Sequence, residues 1–464
     1  MSSSSTQEKT ALIVVATTSF LTPFMGSSIN LAIPSIGQEF SSSALHLGWI
    51  VTSYLLASAA FLLPLGRLAD IIGRKKIYVS GIFAFALFTF LCSLSHSINQ
   101  LIVFRVLQGL ASAMIFATGM AILTSVYAPQ KRGKAMGLTI AGTYLGLSLG
   151  PVLGGMLNHQ LGWRSIFYFT FALSIYAALL AAWRLKEEHS GVEGEKFDVS
   201  GSILYTAGLV TFLYGLSSAS TSNAAKYVGL LGLALIVLFV RYESKARSPL
   251  IKIDLFIHNT AFAFSNLAAM INYSATFAVG FLISLYLQVA LGYTSQTAGL
   301  IMLSQPVLMT LLSPLAGTLS DRVEPRIVAT WGMGLTTLGL FLFIFLGRST
   351  PVALIIADLA LLGLGFALFS SPNNNAVMGS VSPPLYGVAS SALGTMRLVG
   401  QAMSMAIVTL VMSLIMGSAS LQASAPLLLQ ASRITFIIFT ITCFVGIFAS
   451  LNRGNINRPV RQEV

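Results

Sequence analysis

Fourteen carboxylates occur in this chain, and thirteen of them stand near the ends of apolar runs or between them. The exception is Asp358, seven residues past Pro351 within the apolar run 351–375. At the rise of a helix it lies roughly 10 Å below one boundary of a bilayer core. Hydrocarbon disfavours the charged form of a carboxyl, so a group in that place can take up and release a proton. Two arginines share the setting. Arg397 stands twelve residues past Leu385, a climb of roughly 18 Å to a similar depth, and Arg105 lies within an earlier run. A guanidinium there is costly and must face protein or a wet cavity. Two readings stay open. Asp358 exchanges a proton while Arg397 or Arg105 tunes it, or Asp358 and Arg397 form a fixed pair that ties two helices together.

Other chemistries lack their residues. His46, His96, His159, His189 and His258 are scattered at segment ends, and Cys92 and Cys443 lie in separate apolar runs. Neither set makes a metal cage or a disulfide framework, so no metal and no cofactor is expected. Asp358 has no acidic partner for paired-carboxylate catalysis, and neither H-E-x-x-H nor G-x4-G-K-[S/T] appears. An enzyme and a nucleotide-driven pump are excluded on these grounds.

The elements that carry Asp358 and the arginines are membrane helices. Of 464 residues, 55% are hydrophobic and 9% charged, where soluble domains run near a quarter charged. A soluble enzyme and a secreted domain are thereby ruled out. Runs long enough to cross a bilayer lie near 11–33, 46–65, 77–96, 99–126, 134–157, 163–183, 199–218, 226–241, 260–289, 296–319, 327–347, 351–375, 386–416 and 433–452. The first is too long and too gently flanked for a cleaved signal peptide. With the N-terminus inside, twenty of the 26 Lys and Arg fall in cytoplasmic segments and four (Arg164, Lys226, Arg348, Arg433) in external ones, with Arg105 and Arg397 inside runs. That asymmetry predicts a multi-pass protein of the cell (plasma) membrane with both termini cytoplasmic. It accounts for the net charge of +12 without nucleic acid, and sets the inner face against anionic membrane lipids.

The chain also repeats. Gly66-Arg67-Leu68-Ala69-Asp70 after the second run resembles Gly317-Thr318-Leu319-Ser320-Asp321 after the tenth, at an offset of 251. Gly133 and Gly146 match Gly387 and Gly400 at an offset of 254. The expectation is an all-α polytopic fold of 14 transmembrane helices, with two six-helix bundles related by a pseudo-two-fold, over 1–188 and 259–464. A linker and two inserted helices occupy 189–258, and the charged stretch 184–198 reads as an exposed cytoplasmic linker. Parallel repeats of this kind place a substrate site between the halves near mid-membrane.

Three motifs have spacings with a physical use. Gly66, Asp70, Gly73, Arg74 and Lys75 follow the second run; the glycines permit a tight turn or close approach, and Asp70 can cap a helix or pair with a cation. The fourth run carries Leu101, Arg105, Gln108 and Gly109. The fifth carries Gly146, Gly150, Pro151, Gly154 and Gly155, where small residues at four-residue spacing let helix backbones touch and Pro151 bends the helix.

On these motifs the chain resembles the major facilitator superfamily, and within it the fourteen-span drug:proton antiporters, over essentially its whole length. The resemblance implies that the first motif is a gating latch, where Ile71 stands in place of the usual basic residue. Arg105 then serves proton transfer, or else ties helices structurally, and the fifth-run motif marks antiport. Ser371-Pro372-Asn373-Asn374-Asn375, Arg397-Leu398-Val399-Gly400-Gln401 and Phe197-Asp198 with Gly201 are similar to the same group. One departure stands out: Met25 occupies the place of an aspartate that many of these exporters carry in the first span, which weakens the case for cationic substrates. Asn30, Gln108, Asn272, Tyr273, Asn373 and Gln401 are expected to line the cavity, with Tyr286 and Gln288 as further candidates. The implied activity is export of amphipathic drugs in exchange for protons by a monomer. The alternative is a same-fold exporter of a specific metabolite, lipid or siderophore, driven by sodium. A channel would need a ring of charge or carbonyls.

Overall fold

A computed structural model of the chain describes residues 2–127, 129–185, 197–246, 248–382, 385–417 and 425–454. Most of the charged linker, 186–196, lies outside the described residues, as do Arg458 and Arg461. Fourteen helices among the described residues are long and apolar enough to cross a membrane. They are α1 (Gln7–Glu39), α2 (Ala44–Ile72), α3 (Arg74–Ser93), α4 (Ile98–Val126), α5 (Ala135–Leu161), α6 (Arg164–Arg184) and α7 (Val199–Ser218). Then follow α8 (Asn223–Glu243), α9 (Thr260–Ala290), α10 (Ser295–Ser320), α11 (Pro325–Phe345), α12 (Val352–Gly379), α13 (Tyr386–Met416) and α14 (Ala425–Leu451). In hydrocarbon each backbone group must be bonded within the segment, which leaves helix as the form these apolar runs take.

Contacts sort the chain into two compact units. The first holds Met1–Leu250, Gly280–Leu303 and Met405–Ala431; the second holds Ile251–Val279, Ser304–Ser404 and Ser432–Val464. The tips where α9 meets α10 and α13 meets α14 therefore belong with α1–α8.

In the first unit α1 lies along α5. Cβ atoms on Gly146, Gly150 and Gly154 would collide with Phe20 O, Ser27 Oγ and Ser28 Cβ, and one on Gly142 would lie 2.9 Å from Ala16 O. The four-residue stripe on α5 thus lies against α1 from Ala16 to Ser28. The α9–α10 tip closes on this pair: Ser295 Oγ donates to Gly155 O at 3.0 Å, and Gly299 abuts Pro151 O.

Two prolines open sockets. Pro34 and Pro64 have no N–H, so the carbonyls of Asn30 and Ala60, four residues earlier, lose their helical partners. Ser284 Oγ of α9 donates to Asn30 O at 2.7 Å, and Thr206 Oγ1 of α7 donates to Ala60 O at 3.0 Å. Tyr205 Oη donates to Ala59 O beside it at 2.9 Å. The inserted pair α7–α8 is thereby keyed to the break in α2. At its far turn Ser220 Oγ donates to Ser413 Oγ at 2.7 Å.

The repeat appears as geometry. On Gly81 of α3 a Cβ would meet Met114, Ala111 O and Ile115 N; on Gly332 of α11 it would meet Leu368, Gly365 O and Phe369 N. The glycines are 251 apart and their partners 254. Gly109 abuts Tyr54 O as Gly363 abuts Gln305 O, and Gly146 abuts Phe20 O as Gly400 abuts Met270 O.

Candidate functional site

Pro372 of α12 is followed by three asparagines, and each holds a different helix. Asn373 Oδ1 accepts from Arg453 Nη1 at 2.9 Å, just past α14. Asn374 Oδ1 accepts from Arg397 Nη2 of α13. Asn375 Nδ2 donates to Ser320 Oγ of α10 at 2.6 Å. Arg453 is fully buried and also donates to Ser450 O at 3.0 Å and Ser450 Oγ at 2.7 Å. Burial pushes its guanidinium down to about 10, helped by the nearby charge of Arg326, so it stays cationic at neutral pH. Arg397 is part-exposed and lies over the Tyr273 ring at 5.7 Å. Tyr273 meets Phe366 edge-on at 5.4 Å. Gly400, one turn along, lets α13 touch the backbone of α9, which sets the Arg397–Tyr273 contact.

Asp358 stands elsewhere on the same helix. It is 8% exposed, and its Oδ1 accepts no hydrogen bond from any described residue. That oxygen lies 3.2 Å from where a Cβ on Gly339 of α11 would sit. Asp358 and Arg397 do not meet: Arg397 binds Asn374, sixteen residues along α12 from Asp358, which is roughly 24 Å at the helical rise. The expected fixed pair is therefore corrected. Counting residues along α12 and α13 gives depth without the direction in which a side chain leaves the helix, and a long arginine reaches away from its own Cα.

Arg105 is sealed. It has no exposure, Nε donates to Ile50 O at 3.0 Å and Nη1 to Gln108 Oε1 at 2.5 Å. Gln108 Nε2 passes on to Thr89 Oγ1 at 2.6 Å, and the guanidinium lies 4.2 Å over Tyr54. The knot joins α2, α3 and α4 and contains no carboxylate.

The latch motif is mostly helix. The loop expected after the second run is instead the last turns of α2, because the helix continues to Ile72 and turns only at Gly73, whose φ of 112° suits glycine. A Cβ on Gly66 would meet Ala117 alone at an ordinary 3.6 Å. Asp70 Oδ1 accepts from Arg74 Nε at 2.8 Å and caps no helix. Lys75 sits in the first turn of α3.

Of the expected cavity residues, Tyr273 and Gln401 are part-exposed. Asn30, Gln108, Asn272 and Asn373 are buried at 5%, 0%, 0% and 1%, so these four face protein in this conformation. Gln108 and Asn373 are spent on the arginines, whereas both polar atoms of Asn272 have no partner among the described residues. Tyr286 is buried, and Gln288 donates to Ser284 Oγ at 2.9 Å. Sequence reasoning missed Arg453, which reads as one more cytoplasmic charge, and Phe366, one apolar residue among many. The signal for Arg453 was the triple asparagine, which needs donors.

The sequence matches the family described as Major Facilitator Superfamily over residues 15–405 and again over 265–461. It is similar to the riboflavin transporter RibZ of Clostridioides difficile (strain 630), 32% identical over 391 residues, covering 84% of this chain and 85% of that protein. It is 29% identical to the multidrug resistance protein Stp of Mycobacterium tuberculosis (strain CDC 1551 / Oshkosh) over 384 residues, 82% of this chain and 71% of that one. Multidrug transporter protein MdtP of Bacillus subtilis (strain 168) is 28% identical over 417 residues, 86% of this chain and 75% of that protein. A bacterial homolog of the human lysosomal transporter Spinster, solved inward-facing and unoccupied, shares the fold at a TM-score of 0.71 and 15% identity, covering 96% of this chain and 97% of that one. With fourteen helices among the described residues long and apolar enough to cross a membrane and a family match across most of its length, the chain is a multi-pass transporter that belongs to the Major Facilitator Superfamily.

Proposed function

We propose that the protein is a secondary active exporter that exchanges amphipathic compounds, drugs among them, for protons by alternating access. The observation that carries this reading is Asp358, the one carboxylate well inside a span, buried against Gly339 with an oxygen that no described residue satisfies. A buried carboxyl without a cation partner is suited to holding a proton and giving it up when water reaches it. The glycine stripe of α5 supports antiport through its resemblance to the antiporter motif, and it lets α5 lie in close contact with α1 and with the α10 tip. The excess of Lys and Arg in alternate connecting segments supports cytoplasmic termini, and a single copy suffices for the cycle.

The test uses inside-out vesicles with an acid interior, a pH dye and a panel of amphipathic drugs. Compounds that collapse the gradient with the wild type and not with Asp358→Asn support the reading. Full-rate, fully coupled transport by Asp358→Asn would remove Asp358 from the path. A second reading, a specific metabolite as cargo, is favoured by the similarity to a riboflavin transporter. A gradient that no drug alters, but that one metabolite does, would select it.

A further inference from the structure

The geometry points to a substrate class: the Arg397–Tyr273–Phe366 cluster of the second unit selects flat aromatic compounds that are neutral or anionic and rich in acceptor atoms, and disfavours flat cations. This rests on the transporter reading and names the cargo of its site.

Two guanidiniums are held on consecutive residues of α12, Arg453 by Asn373 and Arg397 by Asn374. Both acceptors are amides. An amide oxygen takes a guanidinium N–H as a carboxylate does, but leaves the positive charge uncancelled. Among the described residues no carboxylate lies within ion-pair distance of either arginine. The carboxylate of α12 itself, Asp358, is sixteen residues away along the helix. A cationic region away from bulk water projects a field that screening reduces little.

Arg453 is fully buried and contributes only its field. Arg397 is part-exposed and has donors to spare. Among the described residues only its Nη2 is bonded, and its Nε is a buried donor with no acceptor. Beside it stands the part-exposed ring of Tyr273, braced edge-on by Phe366. An aromatic ring next to an unneutralised guanidinium offers a stacking surface with hydrogen-bond donors at its rim. Flat molecules with carbonyl or carboxylate oxygens fit that pairing, since the planar fork of arginine bonds such oxygens in the plane of its stack. A flat cation gains the ring and meets the repulsion.

The test compares two flat tricyclic dyes of opposite charge, fluorescein and ethidium, by fluorescence anisotropy on the full chain in lipid nanodiscs. Fluorescein is expected to bind at least about tenfold more tightly than ethidium, a difference of about 1.4 kcal/mol. Asn374→Asp keeps an acceptor on Arg397 and cancels its charge, so it should weaken fluorescein about tenfold and strengthen ethidium. Arg397→Lys retains the charge and should keep the order of the two dyes. The inference is overturned if the wild type prefers ethidium, or if Asn374→Asp leaves both affinities unchanged in protein that elutes as a single species. Proton exchange is judged separately, by whether an imposed pH gradient moves the bound dye. Charge-selective binding without gradient-driven movement would sink the exchange reading alone, and gradient-driven ethidium transport with ethidium preferred would sink this inference alone.

Discussion

Arg105 and Asp358 have different surroundings inside the spans, and these decide what each can do. Arg105 is enclosed by a carbonyl, an amide and a tyrosine ring. Removing it strips donors from buried acceptors, a change that costs about 1–3 kcal/mol for each group left unsatisfied. Arg105→Gln should therefore lower the thermal midpoint of the purified protein while the surviving fraction keeps its proton-to-substrate ratio. A normal midpoint with lost coupling would instead put Arg105 on the proton path. Asp358→Asn is expected to show the reverse pattern, an unchanged midpoint with lost exchange, because no described group bonds its Oδ1. Gly339→Ala would put a Cβ 2.7 Å from Leu362 and 3.2 Å from Asp358 Oδ1. It should displace the carboxyl and shift the pH profile of transport, where a merely structural Gly339 would lower stability and leave the profile in place.

Among the elements, glycines and prolines do the joining. Gly146→Ala would press a Cβ onto the Phe20 carbonyl, backbone that no rotamer change can clear, at a cost of about 1–3 kcal/mol. Gly137 on the same helix has nothing within 4 Å of its Cβ position. Gly137→Ala should therefore be neutral or stabilising by up to about 1 kcal/mol. Thermal melts of the two variants would separate packing from propensity, and equal effects would refute the stripe. The Pro64 socket predicts a non-additive pair. Thr206→Val leaves the Ala60 carbonyl unbonded and should cost about 1 kcal/mol. Pro64→Ala restores the helical N–H to that carbonyl, so Thr206→Val should be nearly silent in its background, a result that a double-mutant cycle measures directly.

For the whole molecule, the charge asymmetry predicts sidedness. Cys92 and Cys443 are buried, so an added cysteine at Lys76 should take an impermeant thiol reagent from the cytoplasmic side and one at Ser220 from outside; the opposite pattern would invert the topology. What the sequence revealed and what it hid follow one physical line. The spans, their number and the repeat are written in run lengths and glycine spacings, which are local and survive without neighbours. The offset of 251 between Gly66 and Gly317 recurs between Gly81 and Gly332 as matched backbone contacts. Direction around the helix axis is not local. Asp358 turned to Gly339 of α11, Gln108 reached Thr89 of α3, and Arg453 went inward to Asn373 of α12, each because of a partner on another helix, 19, 19 and 80 residues away in the chain. Apolar residues on every side of a span erase the periodicity that would otherwise give the facing direction.

The dependence of α2 on α7 also bears on how such chains change their number of spans. Cutting out 197–246 would remove Tyr205 and Thr206 and leave the carbonyls of Ala59 and Ala60 without their donors. The Ala60 oxygen has no helical donor to fall back on while Pro64 remains. A version of this chain shortened to twelve spans is therefore expected to be more stable with Pro64→Ala than with Pro64, because the restored N–H replaces the donor lost with α7.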